Sequence, residues 1–168
     1  MDAQQLHDHI IKPTLEYMGG NYDSKNARML LLATAAIESK CGYYIKQIGG
    51  PALGIWQMEP ETHSDIWSNC DALLQPTDGR GNVLAFRVDK LTVSPDNVPD
   101  NDLIVSPLYA CAMARLKYSM DIEPLPYYRD KIAIYNYYKR IYNTVLGAST
   151  WDKFESAWNE CGLDSVEL

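Results

Sequence analysis

The run Met29 to Ile37, the longest apolar stretch in the chain, ends abruptly in one acid, Glu38. With Ser24 as N-cap, it predicts a helix over about 25 to 39 that is apolar on nearly every face, hence central and buried. At nine residues it falls well short of the ~20 a membrane span needs. Glu38 falls in the last turn, where the negative end of the helix dipole and partial burial both favour its protonated form. A general acid has to hold a proton in this way at neutral pH. Taken alone, a glutamate at a helix end reads equally well as an ordinary surface residue.

The residues beyond the helix separate these two possibilities. Gly42, Gly49, Gly50 and Pro51 mark Lys40 to Leu53 as loop, with Tyr43 and Tyr44 able either to stack on a ligand or to cover the core. Next comes Gly54-Ile55-Trp56-Gln57-Met58. Here a glycine permits close backbone approach, an indole offers an apolar plate, and Gln57 supplies both a donor and an acceptor. Pro60 restarts the chain as helix through Ile66, Trp67 and Leu73-Leu74, with Glu59 and Glu61 as favourable charges at its positive end. Asp65 falls inside that helix, and nothing fixes its direction.

A chain of 168 residues with 46% hydrophobic and 22% charged residues is expected to be one domain, 1–168, with a real core. The net charge of -7 argues against a nucleic-acid binder, which would need a clustered basic face. The opening MDAQQLHDHI has no basic region followed by an apolar block, which predicts no cleavable export signal. Cys41, Cys70, Cys111 and Cys161 share no Cys-x-x-Cys spacing and have no histidine nearby. They read as reduced thiols of a cytoplasmically made protein, with one or two disulfides as the alternative and no metal site expected.

Elsewhere the pattern is helical. Residues 3 to 18 predict a helix kinked or split at Pro13, with His7 and His9 near the surface. Pro76 to Gly81 and Ser94 to Asn101 read as surface turns; Val83 to Val93 reads as a short helix or a strand pair. Ser106-Pro107 opens a helix rich in small residues. Another is expected over about 128 to 143, dense in tyrosine and holding two Tyr-Asn pairs, Tyr135-Asn136 and Tyr142-Asn143. Ser149 to Asp152 resembles a capping box for a last helix ending near Gly162, with Trp151, Phe154, Ala157 and Trp158 inward and a loose tail from Asp164.

Glu38-Ser39, the Gly-rich loop, and then Gly54-Ile55-Trp56-Gln57-Met58-Glu59-Pro60-Glu61-Thr62 together resemble the soluble lytic transglycosylases. That family shows Glu-Ser, a loop opening Gly-Leu-Met-Gln, and a proline and threonine at the next helix start. Ile55 and Trp56 depart from this pattern while keeping apolar bulk. The family also carries Ala-Tyr-Asn near a helix end, its tyrosine reaching the acid and its asparagine holding sugar. Tyr142-Asn143 fits the helix-end and trailing-glycine context and is preferred; Tyr135-Asn136 fits the spacing from the preceding helix.

The resemblance implies a mainly α, lysozyme-like fold with a substrate cleft between a small lobe and a helical bundle. It implies cleavage of peptidoglycan between N-acetylmuramic acid and N-acetylglucosamine, giving 1,6-anhydro ends without a cofactor. Glu38 would be acid and base with Tyr142 orienting it, and Ser39, Gly54, Trp56, Gln57, Met58 and Asn143 would contact sugar. A hydrolytic muramidase on the same fold is the nearest alternative, and a silent virion or peptidoglycan-binding protein the other. Short length, acidity and the lack of a wall-binding repeat suggest a phage chain, either virion-associated or an endolysin. Its expected partners are glycan strands and, in the virion version, other virion proteins, rather than nucleic acid.

Overall fold

The computed structural model describes residues 1–75, 81–94, 99–143 and 148–168. Most of the first turn cluster, Pro95 to Val98, and the glycine-bearing stretch after Asn143 lie outside the described residues. The protein is mainly helical; among the described residues, pairing of extended backbone is confined to the isolated bridges Lys46–Leu53 and Leu53–Met58.

α1 (Ala3–Leu6) and α2 (Lys12–Met18) are joined through a π-turn at His7–Ile11, so Pro13 is accommodated by widening the helix just ahead of it. His7 is buried, contrary to expectation, because this wide turn packs against the central helix; its Nδ1 lies 2.6 Å from Asp8 Oδ1. His9 is exposed as expected.

α3 (Lys25–Ser39) is the central helix, opened by Ser24, whose Oγ accepts from Ala27 N at 3.1 Å. Leu30, Leu31, Leu32, Ala33, Ala35 and Ala36 are all buried, with α8, α9 and α10 packed around them. Thr34, the one polar residue of that run, is satisfied by Leu30 O at 2.7 Å and Tyr118 Oη at 2.6 Å.

α4 (Pro60–Asn69) stops short of the expected end, since Cys70 is extended before α5 (Asp71–Leu74). α6 (Val83–Asp89) resolves the helix-or-strand choice as helix, capped by Asn82. After α7 (Asp102–Val105), α8 (Pro107–Ser119) starts at its Ser106 cap and is buried along most of its length. α9 (Lys131–Tyr138) begins three residues later than the pattern suggests, because Asp130 Oδ1 caps Ala133 N at 2.9 Å. It then widens into a second π-turn, Lys139–Asn143.

α10 (Trp151–Glu160) is capped by Thr150 rather than Ser149, and buries Phe154, Ala157 and Trp158. The tail is held in place. Trp158 Nε1 donates to Asp164 Oδ1 at 2.8 Å, and Gln4 exchanges two hydrogen bonds with the Glu167 backbone. All four cysteines are free thiols, with Cys41 hydrogen-bonded to Cys161 where the end of α3 meets α10. Among the described residues no helix is long and apolar enough to cross a membrane.

Candidate active site

Glu38 occupies the penultimate position of α3, and the chain turns sharply after it: Lys40 and Cys41 are both left-handed, at φ 51° and 53°. Ser39 drives the reversal. Its buried Oγ donates to Ile55 O at 2.5 Å, accepts from Gly42 N at 2.8 Å, and lies 3.2 Å from Ala35 O. The resemblance assigns Ser39 to sugar; in the structure it is consumed in pinning the downstream loop to the end of α3.

That loop ends in a tight hairpin. Leu53 and Met58 exchange both backbone hydrogen bonds at 2.9 Å, enclosing Gly54 to Gln57. Gly54 sits at φ 74°, where an added Cβ would lie 2.1 Å from Leu103 O; its close approach is to α7, not to a ligand as expected. Trp56 is buried, with its indole Nε1 donating to Leu31 O at 3.0 Å. The expected apolar plate is therefore a core anchor, because an indole in the middle of a four-residue hairpin is drawn onto the apolar face of α3.

Gln57 does face the cleft, in a left-handed conformation (φ 44°) that the pairing of its neighbours imposes, and its Nε2 closes the turn on Gly54 O at 2.7 Å. Met58 is buried and also lines the cleft.

The cleft has a volume of about 470 Å³. Its floor carries Ile37 and Glu38. Gln47, Ala52, Gln57, Met58, Glu59 and Thr62 come from the loop and the start of α4, while Tyr138, Tyr142, Asn143 and Ser149 come from the carboxyl-terminal side. Tyr138 Oη donates to Glu38 Oε1 at 2.7 Å. Asn143 also bonds the carboxyl. Its Oδ1 accepts from Lys139 Nζ at 2.8 Å and from Ser149 N at 3.3 Å, which leaves the amide NH2 as the end aimed at Glu38.

The resemblance sends Tyr142 to Glu38, but its hydroxyl donates to Trp56 O at 2.9 Å, tying the π-turn to the hairpin beside the acid. The alternative pair lies elsewhere: Tyr135 packs on Trp151 and Phe154, and Asn136 is exposed.

The π-turn explains the exchange of tyrosines. In regular α-helix, residues five apart point about 140° away from each other. The wider i→i+5 register brings Tyr138 and Asn143 toward one face, so both reach the same carboxyl.

Burial pushes the Glu38 carboxyl up to about 7. The hydrogen bonds from Tyr138 and Asn143 oppose the rise, and the charge of Glu59 adds to it. Burial and the adjacent carboxyl also hold the Tyr138 phenol far above its usual range, so it remains a donor. Tyr138 stacks against Tyr142 and Phe154 at centroid distances of 6.3 and 6.1 Å, which fixes its ring.

Sequence reasoning missed Tyr138 and the cleft-facing position of Glu59. Tyr138 is one of four tyrosines within eight residues and carries no mark of its own. Glu59, legible in the sequence as a helix-start charge, is that and also lines the cleft. Asp65, bonded to Asn69 at 2.7 Å, does not line it.

The site is thus a carboxylic acid poised to exchange its proton near neutral pH, oriented by two donors, in a polar cleft wide enough for a sugar-sized ligand. Comparison with protein-family models, curated proteins and solved structures returns no match.

Proposed function

We propose that this protein cleaves the glycan strands of peptidoglycan as a lytic transglycosylase, on a lysozyme-like arrangement in which the Gln47-to-Thr62 segment and the helical bundle face each other across the cleft. The observation that carries the reading is the Glu38 carboxyl, raised to about 7 by burial and held by Tyr138 and Asn143.

Glu38 would donate its proton to the oxygen between N-acetylmuramic acid and N-acetylglucosamine, releasing the N-acetylglucosamine side as an alcohol. Positive charge then develops at the muramic C1. The resulting Glu38 carboxylate takes the proton of the muramic C6 hydroxyl, whose oxygen closes onto C1. One proton leaves the acid and one returns, so the enzyme is restored without water entering. Tyr138 and Asn143 are donors in both forms of the acid and stabilise the carboxylate more than the acid. Gln57 sits where it can bond a sugar hydroxyl or acetamide.

Glu59 supports a second reading. An exposed carboxylate in the same cleft could activate water, giving hydrolysis by a two-carboxylate scheme. Digestion of purified sacculi in oxygen-18 water distinguishes the two. Anhydro ends, one water lighter and unlabelled, are expected from transglycosylation. Labelled reducing ends that vanish in Glu59→Gln would favour hydrolysis. Undiminished release by Glu38→Gln would remove both. Action at the bacterial wall on behalf of a phage, from the virion or as an endolysin, fits this chemistry, and detection of the chain in purified particles tests the virion version.

A further inference from the structure

Among the described residues, four charged side chains line the cleft: Glu38 and Glu59, Lys117 and Lys153. Lys153 is partly engaged, its Nζ donating to Ala148 O at 3.0 Å. Lys117 is not. It projects from the last turn of α8, half-buried, and among the described residues it has no ion pair.

A cation near the carboxyl end of a helix complements the dipole wherever on that turn it points. The dipole therefore accounts for a lysine in this turn but not for one turned into a groove. Lys117 lines the cleft half-buried and has no ion pair among the described residues, although the chain's net charge is -7 and the cleft also holds Glu38 and Glu59. A cleft cation left unpaired by its own protein is free to meet an anion that a ligand brings.

We infer that Lys117 is a specificity-determining residue that binds a carboxylate on the glycan, so the cleft selects carboxylate-bearing strands over neutral ones. The inference rests on the peptidoglycan reading above and deepens it. Such strands carry carboxylates from two sources: the lactyl ether of the muramic residue when it bears no peptide, and the peptide itself when it does. Both meet the ammonium through the same charge-assisted hydrogen bond.

The test is binding, measured by calorimetry in a Glu38→Gln background so that nothing is cut. Three forms of one muramic-acid-containing tetrasaccharide are compared: free lactyl carboxylate, lactyl carboxamide, and peptide-bearing. The free carboxylate is expected to bind about tenfold or more tighter than the carboxamide, a preference that weakens with added salt. Lys117→Gln should collapse that ratio, and Lys117→Arg should largely restore it, which a purely structural lysine would not do.

If the peptide-bearing form alone shows the Lys117-dependent preference, the carboxylate recognised is that of the peptide. Equal affinity for all three forms, or a preference for a carboxylate-bearing form that Lys117→Gln leaves unchanged, overturns the inference. Failure of the wild type to cut sacculi would instead tell against the proposed activity, whatever the binding ratio.

Discussion

Replacing Glu38 by glutamine gives a quantitative test of the site that does not depend on any substrate. The amide keeps the shape of the carboxyl and can still accept from Tyr138, but it cannot ionise. In the wild type the folded state holds the Glu38 proton up to about pH 7, whereas a carboxyl of ordinary value, 4.5, loses it earlier in the unfolded chain. Between those two values the folded state binds more protons than the unfolded one, so stability falls as pH rises. The contribution is therefore complete below about 4.5 and lost by about 7. At about 1.4 kcal/mol per pH step, this interval corresponds to about 3 kcal/mol.

Urea unfolding of wild type and Glu38→Gln at intervals from pH 4 to 8.5 measures the difference directly, and every other titrating group largely cancels in it. The variant should gain about 3 kcal/mol on the wild type between pH 4.5 and 7, and nothing further above that. A difference that stayed flat with pH would mean that Glu38 is solvated like any surface acid, and the reasoning from burial to proton donor would fail with it.

Three other substitutions probe the parts around the acid. Tyr138→Phe removes a hydrogen bond that holds the Glu38 value down, so the alkaline limb of the pH–activity curve should move upward while kcat on sacculi falls at least tenfold; an unmoved limb would refute the contact. Ser39→Ala leaves Gly42 N without its acceptor and Ile55 O without its donor, and should cost about 1–3 kcal/mol in unfolding experiments; a neutral result would show that the loop is held by other means. Gly54→Ala places a methyl 2.1 Å from Leu103 O at φ 74°, and should destabilise by more than ~2 kcal/mol or abolish folding, as thermal melts or yield of soluble protein would show.

The π-turn makes the site sensitive to register. Asn143 reaches Glu38 only because the helix widens after Tyr138, and its amide oxygen is held by Lys139 from the start of the same turn and by the Ser149 backbone beyond it. An insertion or deletion within Lys139–Asn143 would rotate each later side chain by about 100°, and so would separate Asn143 from the acid while leaving the core contacts of Tyr138 in place.

Local chemistry alone determined the central helix, its Ser24 cap, its burial and the acid at its end, along with the start of α8 at Ser106 and the mainly helical class. Each depends on residues within a turn or two of one another. The partners in the cleft are another matter. That Tyr138 rather than Tyr142 bonds Glu38, that Trp56 and Ser39 build the hairpin instead of meeting a ligand, and that Glu59 faces the acid were settled only when segments up to 100 positions apart came together. Periodicity indicates that a face is apolar or polar, but not which neighbour it meets, and a single π-turn shifts that meeting by one residue. The tertiary packing therefore decided the membership of the site, on a helix whose place in the fold its own residues had already set.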